Sequence, residues 1–393
     1  MTTPQQLLVT NFAYGIGPFL RTTELAIVFN NTLEKQGRPR LACLIPWVYG
    51  EKQKRIMLEE FGEHERKYPG ELLLDKKLGA ILRSVFYGDN TYEVALAAWV
   101  ETTEKVSEQA KQHLCEVITV ETLSGGHVTV QGEHIVVEIN RSPRVRFDVA
   151  PAYFTTFGYI EDILRGALEA GRGKVNVDPL LLEKGIAVAR SIEERQTIHA
   201  VAYPGTFSGS DLYKAKYPTE IMVPPIRDAQ IVPNREEIEP GIFVTVTGIP
   251  GLERLYREAR DFGLRLYSND LESVPGSVRR FSPNHGLNKN IVLHFARSGW
   301  GSVWLSLFCD TPILVPDFDP LDDPEIYFNN KMVEELGIGT VYRGQGLSEI
   351  LAQGDAIRKR YREMRDKIIR RWGTLDGNQA CADVFVKDFL SSN

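Results

Sequence analysis

Leu7-Leu8-Val9-Thr10 leads straight into Asn11-Phe12-Ala13-Tyr14-Gly15-Ile16-Gly17-Pro18. A helical pattern then runs from Arg21 to about residue 36, and a second apolar run follows at 41–45. The order is strand, glycine turn, helix, strand, which reads as one βαβ unit of about 35 residues. Such a crossover implies a parallel sheet with helices packed on its faces.

Working outward from this unit, residues 51–115 are mostly helical in pattern, with breaks at Pro69-Gly70 and Gly88-Asp89-Asn90. Between 115 and 139, apolar and polar positions alternate around Gly125-Gly126 and Gly132, which predicts strands and hairpins. Helical patterns return near 159–170 and 179–196. Pro218, Pro224, Pro225, Pro233 and Pro240 then crowd one stretch. Proline fixes φ and interrupts both helix and sheet, so a linker is expected at 218–239. It would separate an N-terminal Rossmann-like domain at 1–217 from a C-terminal one at 240–393. The second begins with a β-branched and aromatic run at 242–246, the turn Thr247-Gly248-Ile249-Pro250-Gly251 and helical spacing at 252–262. Further strand-like runs fall at 264–267, 278–281, 291–295 and 312–315. The expected fold class is α/β, two doubly wound domains facing a cleft, with ligands bound beyond the carboxyl ends of strands.

Composition narrows the function classes. Of 393 residues, 43% are hydrophobic and 25% charged, as in soluble globular proteins, which excludes disorder and collagen-like architecture. Basic residues number 46 and acidic ones 52, a net charge of −6 that argues against a whole-chain nucleic-acid footprint. There is no apolar run of about 18 residues, so no membrane span is expected. The beginning, MTTPQQLLVTNF, lacks a basic region followed by an apolar one, so no secretory signal is expected. Cys43, Cys115, Cys309 and Cys381 form no CxxC pair, and the seven histidines lack ligand spacing. Neither a metal site nor a disulfide framework is indicated, and a reducing cytosol is the expected compartment.

Four stretches carry candidate chemistry. Gly15-Ile16-Gly17-Pro18, with Arg21 one turn on, can bring backbone N–H groups and a helix dipole close to an anion; the alternative is a tight strand–helix turn with no ligand. Arg297-Ser298-Gly299-Trp300-Gly301-Ser302, after the run at 291–295, joins a guanidinium, small flexible residues and hydroxyls at a helix start. That combination can form a phosphate cradle, the alternative being a helix cap with a surface arginine, and Trp300 offers either a stacking face or a core contact. Asp317 and Asp319 follow the next strand. Glu325 and Asn329, four apart, share a face suited to sugar hydroxyls if the segment is helical; the alternative is an acidic loop from Asp319 to Pro324 with Glu325 a first-turn residue favoured by the helix dipole. Residues 356–372 put Ile357, Tyr361, Met364, Ile368 and Trp372 on one stripe with basic residues around the rest. This is either a terminal helix with a solvated basic face or one that permits contact with an anionic membrane surface.

Residues 291–339 resemble the donor half of metal-independent GT-B glycosyltransferases, above all the lipid-linked N-acetylglucosaminyltransferases within the UDP-glycosyltransferase superfamily. Arg297-Ser298-Gly299 and Ser302 match their R-S-G-x-x-[ST] turn, and Thr311-Pro312-Ile-Leu-Val-Pro316 matches the small-residue-Pro strand. Glu325-Ile326-Tyr327-Phe328-Asn329-Asn330 aligns with a Q-Q-Y-W-N-A segment, and Glu335-Leu-Gly337-Ile-Gly339 with the ending. Phe281-Ser-Pro283 resembles the preceding aromatic-x-Pro turn, and Gly15, Gly17 and Arg21 resemble a G-x-G-H-x-x-R loop. The chain departs from the pattern at Pro18, where relatives have histidine, at Leu305, where a glutamate holds ribose, and at Ile326, where a glutamine contacts sugar.

The resemblance implies glycosyl transfer from a nucleotide-diphosphate sugar, UDP-linked by analogy, with inversion and without metal or cofactor. Donor phosphates would lie on Arg297, Ser298, Gly299, Trp300, Gly301, Ser302, Thr247 and Gly248. Asp317, Glu325 and Asn329 would hold the sugar, and Gly15, Gly17 and Arg21 would form an interdomain glycine loop. The acceptor, whether lipid, glycan, small molecule or protein, is unspecified, and Glu24, Asp89, Glu121 and His199 are equally available as general base. The final helix, about 378–391, would cross back to the first domain. The competing reading, supported by Pro18 and Leu305, is a catalytically degenerate module that binds a nucleotide, glycan or protein.

Overall fold

The computed structural model describes residues 6–85, 91–227, 236–245, 252–272, 274–281 and 287–392. The first half holds strands β1 (Leu7–Phe12), β2 (Ala42–Pro46), β3 (Leu72–Asp75), β4 (Val117–Thr122), β5 (His127–Gln131), β6 (Ile135–Arg141), β7 (Ala152–Thr156), β8 (Ile198–Ala202) and β9 (Glu220–Val223). Between them run helices α1 (Ile16–Lys35), α2 (Gly50–Lys67), α3 (Lys76–Leu82), α4 (Tyr92–Leu114), α5 (Ile160–Ala170) and α6 (Pro179–Glu193). The sheet order is β5-β4-β3-β2-β1-β6-β7-β8-β9. All pairs are parallel except β3–β4 and β4–β5. Every residue of β1 is buried, as expected of a strand covered on both faces. After β1 the chain winds outward through β2 and later returns to the other side at β6. The carboxyl end of β1 therefore lies at the switch in winding direction, where open α/β sheets bind ligands.

The second sheet comprises β10 (Gly241–Val244), β11 (Arg265–Ser268), β12 (Ser277–Arg280), β13 (Ile291–Phe295), β14 (Ile313–Pro316) and β15 (Thr340–Tyr342), in the parallel order β12-β11-β10-β13-β14-β15. Its helices are α7 (Glu253–Asp261), α8 (Trp300–Cys309), α9 (Pro324–Leu336), α10 (Leu347–Ala352) and α11 (Gly354–Trp372). Alternate residues of β10 serve two cores. Ile242 and Val244 join Leu255, Leu266, Leu293, Phe295 and Leu314, while Phe243 joins Tyr267, Leu287, Ile291 and Leu305. Both faces are thus covered, as the βα alternation demands.

Two compact units emerge, and their limits differ from the expected ones. One comprises Met1–Ala202, Lys214–Ile226 and Gly377–Asn393; the other comprises Tyr203–Tyr213 and Arg227–Asp376. The stretch expected as linker, 218–239, contains β9. The flanking Pro218, Pro224 and Pro225 lie outside the strand itself, and β9 ends the sheet, where prolines are tolerated. Helix α12 (Gly377–Ser392) belongs to the first unit, although the expected C-terminal domain ran to 393. It buries Cys381, Ala382, Phe385, Val386 and Phe389 and packs on α1, in line with the expectation that a final helix at about 378–391 crosses back to the first domain. Phe385 stacks on Tyr153 at 4.8 Å, and Phe389 meets Phe29 edge-on at 6.0 Å. Within the stretch expected to be helical, Leu72-Leu-Leu-Asp75 is a strand; four apolar-leading residues are too few for a periodicity to separate helix from strand. Gly132 begins no hairpin either: β6 leaves β5 and pairs with β1.

Candidate functional site

The turn after β13 is built by a buried strand running into a buried helix. Ile291-Val-Leu-His-Phe295 crosses the core, and α8 buries Trp300, Val303, Trp304, Leu305, Ser306 and Leu307. Between them Gly299 occupies the N-cap with no side-chain cap, so the first N–H groups of α8 have no capping side chain. A Cβ placed on Gly299 or Gly301 would meet nothing within 4 Å, so open space lies over this helix start. Arg297 stands at its edge, with its side chain 51% exposed and 2.9 Å from Asp322.

The other side chains of the expected cradle face inward. Ser298 is fully buried, and its Oγ donates to the Ile326 carbonyl at 3.5 Å. Trp300 is also fully buried; it makes the core contact and presents no stacking face. Its Nε1 donates to Asn329 Oδ1 at 2.9 Å and to Thr206 Oγ1 at 3.2 Å. The Gly301 carbonyl accepts from Arg227 at 3.2 Å, and Ser302 N–H closes a turn onto Gly299. Thr247 and Gly248 lie outside the described residues. So does most of the Phe281-Ser-Pro283 turn.

Asn329, expected to touch sugar, is fully buried instead. Its Oδ1 accepts from Thr206 Oγ1 at 2.8 Å as well as from Trp300, and its Nδ2 donates to Glu325 Oε1 at 3.2 Å. It ties the 203–213 segment, α8 and α9 together and positions Glu325. Glu325 itself is half-buried in the first turn of α9, behind the Asp323 N-cap. Asp317 is exposed and pairs with Arg343 at 3.5 Å, near the end of β15. The structure therefore gathers Arg297–Ser302, Glu325 and Asn329 around one helix start. Leu305 sits in the core beside Phe243 and Tyr267.

Sequence reading missed Thr206, Asp322 and His294. The first two contact their partners through the fold, with no motif to mark them. His294 sits on a core strand like any apolar residue; its Nδ1 meets Ser306 Oγ at 2.8 Å and its Nε2 meets Thr245 Oγ1 at 3.0 Å. Burial, helped by Arg227, lowers its pKa to about 3, so it is a neutral tie between β13, α8 and the end of β10.

In the first unit, Gly15 adopts φ +120°, which glycine alone tolerates readily, and its N–H donates to the Tyr49 hydroxyl at 2.6 Å. Burial raises that phenol to about 12. Tyr14, Ile16, Phe19, Tyr49 and Ile56 line a cavity of about 270 Å³ at the ends of β1 and β2. Gly17 has open space around it, whereas Arg21 is ion-paired to Glu24, which also accepts from Asn378 of α12 at 2.8 Å. Arg21 and Glu24 thus serve helix packing. Glu121 is ion-paired to Lys54 and Lys76. His199 is buried, stacks on Tyr217 at 4.3 Å and bonds the Glu193 carbonyl at 2.7 Å. Asp89 lies outside the described residues. Among the described residues no group of three metal-ligating side chains is assembled, and no helix is long and apolar enough to cross a membrane.

The same region makes unit stability depend on pH. Glu193 accepts from Ile160 N–H at 2.6 Å, capping α5 from the end of α6, and burial raises its pKa to about 8. Burial likewise raises Glu138 to about 7. The folded chain holds these protons while the unfolded chain releases them near 4.5, so the stabilisation is full below 4.5 and is lost as pH rises through 7–8. His199 in the same unit, lowered by burial, acts in the opposite sense only below 6.5. The melting temperature of the first unit is therefore expected to fall between pH 6.5 and 9, and Glu193→Gln should flatten that slope. An unchanged slope in calorimetry of the variant would refute the assignment.

No family model matches the chain, and no curated protein is similar to it. Solved structures are. A Polygonum tinctorium UDP-glucosyltransferase capable of glucosylating indoxyl superposes with a TM-score of 0.60 at 11% identity, covering 99% of each chain. A UDP-glucose:anthocyanidin 3-O-glucosyltransferase, in complex with UDP, gives 0.58 at 10% identity over 100% of each chain. The calicheamicin glycosyltransferase CalG4 gives 0.56 at 15% over 99% of each. With its two Rossmann-like sheets, the chain has the GT-B fold of these glycosyltransferases.

Proposed function

We propose that this chain transfers a glycosyl group from a nucleotide-diphosphate sugar, with UDP the first base to test, to an acceptor hydroxyl. The observation that carries the reading is the uncapped start of α8, open above Gly299 and Gly301, with Arg297 at its edge. Backbone N–H groups and the helix dipole there suit a diphosphate, and Arg297 can exchange Asp322 for phosphate oxygens. Charge on the leaving diphosphate would be balanced by Arg297 and the dipole, with no metal or cofactor needed, and this electrostatic effect would dominate the rate. In an inverting displacement the acceptor oxygen bonds to the anomeric carbon as the bond to the diphosphate breaks, and the acceptor proton passes to a base. Glu325 would orient sugar hydroxyls, held by Asn329. We place the enzyme in the cytoplasm; the basic surface of α11 permits peripheral membrane contact.

Arg297→Ala is expected to weaken UDP binding at least about tenfold in calorimetric titration. Its exposed ion pair contributes little to folding, so the melting temperature should stay within about 2 °C. Unchanged UDP affinity would remove the cradle. A second reading, a binding module without chemistry, is favoured by Pro18 and by Leu305 lying in the core. Incubation with UDP-sugars separates the two: release of UDP, with or without an added acceptor, supports the enzyme, and binding without turnover supports the module.

A further inference from the structure

The four sheet edges are not treated alike. An exposed strand edge offers unpaired N–H and C=O groups to any other strand, and proteins blunt it with charge, proline or brevity. β9 is bracketed by Pro218 and Pro224-Pro225, β12 carries Arg279 and Arg280, and β15 is three residues long. β5, His127-Val-Thr-Val-Gln131, has none of these devices. It is β-branched at three successive positions and contains no Lys, Arg, Asp, Glu, Pro or Gly.

Its hydrogen-bond phase is set by its partner. Thr122 N–H bonds the Gly126 carbonyl at 2.7 Å, and Gly132 N–H bonds the Glu116 carbonyl at 2.9 Å. In an antiparallel ladder such pairs alternate, so 120 with 128 and 118 with 130 are the bonded pairs between β4 and β5. The backbone groups of His127, Thr129 and Gln131 therefore point away from β4, toward the open edge.

We propose that β5 pairs with β5 of a second copy of this chain, antiparallel about a two-fold axis at Thr129. This goes beyond the glycosyl-transfer reading and does not depend on it. The register is self-complementary: Thr129 opposes Thr129 of the second copy, and His127 opposes Gln131, so all three outward-facing residues meet bonded positions. On the core face Val128 then opposes Val130 at the closer, non-bonded positions. Val128 is 37% exposed while Val130 on the same face is 8% exposed. No like charges oppose each other across the axis. Strand pairing alone buries less than the ~1,200 Å² of a standard interface, so a micromolar dimer is expected.

Sedimentation velocity of the full chain tests this between about 1 and 100 μM, the range that brackets such a constant. The native chain should shift from monomer to dimer. Thr129→Pro removes an N–H that β4 does not use, so it should be monomeric throughout, with its melting temperature and UDP affinity unchanged. Thr129→Lys sets two ammonium groups against each other at the axis. Its dimer should be weakened at least tenfold at low salt and partly restored at high salt. A native chain that stays monomeric at 100 μM overturns the proposal. So does a dimer that Thr129→Pro leaves intact.

Discussion

Asn329→Leu is expected to destabilise the second unit by about 3 kcal/mol and to weaken UDP binding with it. Leucine has the branching and heavy-atom count of asparagine, so the effect is chiefly one of polarity, with its bulkier methyl groups adding some overpacking. Thr206, Trp300 and Asn329 are each at most 1% exposed, so water cannot replace what is lost. The Thr206 hydroxyl loses its acceptor. Trp300 keeps only its longer bond, and Glu325 loses the amide that holds it. A buried donor left unpaired costs about 1–3 kcal/mol, and two donors, Thr206 and Trp300, are affected directly. Since Trp300 is the first residue of α8, its movement displaces the helix start that would cradle phosphate. Asn329→Asp sharpens the test. It retains an acceptor for both donors but sets a carboxylate 3.2 Å from Glu325, measured from the present amide nitrogen. It should therefore be more destabilised at pH 8 than at pH 5, where a shared proton relieves the repulsion. Denaturant titration followed by tryptophan fluorescence, to which Trp300 and Trp304 contribute, measures both. A midpoint shift worth less than about 0.5 kcal/mol for Asn329→Leu would show that the network carries no such weight.

The contrast between Arg297 and Asn329 shows what a linear reading can recover. Arg297, Gly299 and Gly301 would act through backbone freedom and a terminal charge at a strand-to-helix turn, and both the turn and the residue types are local. Asn329 acquires its role from Thr206, 123 residues away, and no spacing within 325–330 distinguishes a sugar contact from a buried tie. The same limit applies to Trp300, whose stacking and core readings are equal until Thr206 and Asn329 are placed beside it. At the level of fold, the long βα alternations were readable because covered parallel strands form continuous apolar runs. β3 and β9 were not: four residues carry too little periodicity, and prolines beside β9 resemble a linker until the strand is seen at a sheet edge. The unit boundary was hidden for a related reason. Residues 203–213 are assigned by packing partners distant in the chain, and the return of α12 to the first unit was legible only through the resemblance.

That distant packing makes Gly377→Ala the substitution with the second large effect. Gly377 opens α12, and its N–H donates to the Pro225 carbonyl at 3.1 Å. A Cβ there would lie 2.3 Å from the Pro224 oxygen and 2.4 Å from the Pro225 oxygen. These are backbone atoms held between two prolines, so no side-chain rotation can relieve the overlap, and the helix start must shift. The shift pulls on Asn378, bonded to Glu24 at 2.8 Å, and on the Phe385–Tyr153 and Phe389–Phe29 contacts that seat the helix. Overpacking against a rigid wall costs about 1–3 kcal/mol, and loosening α12 adds part of its buried apolar surface. We expect a fall of about 10 °C in the melting temperature of the first unit, from ~3–4 kcal/mol at ~2–4 °C per kcal/mol. Brief proteolysis should release the last helix from the variant well before the native chain is cut. Gly373→Ala is the control. Gly373 has φ +72° with nothing within 4 Å of a Cβ, so alanine there meets only backbone strain, about 1 kcal/mol. Equal losses at 373 and 377 would mean that helix-end conformation, rather than the wall at Pro224-Pro225, sets the cost, and early release of α12 from the Gly373 variant would lead to the same conclusion.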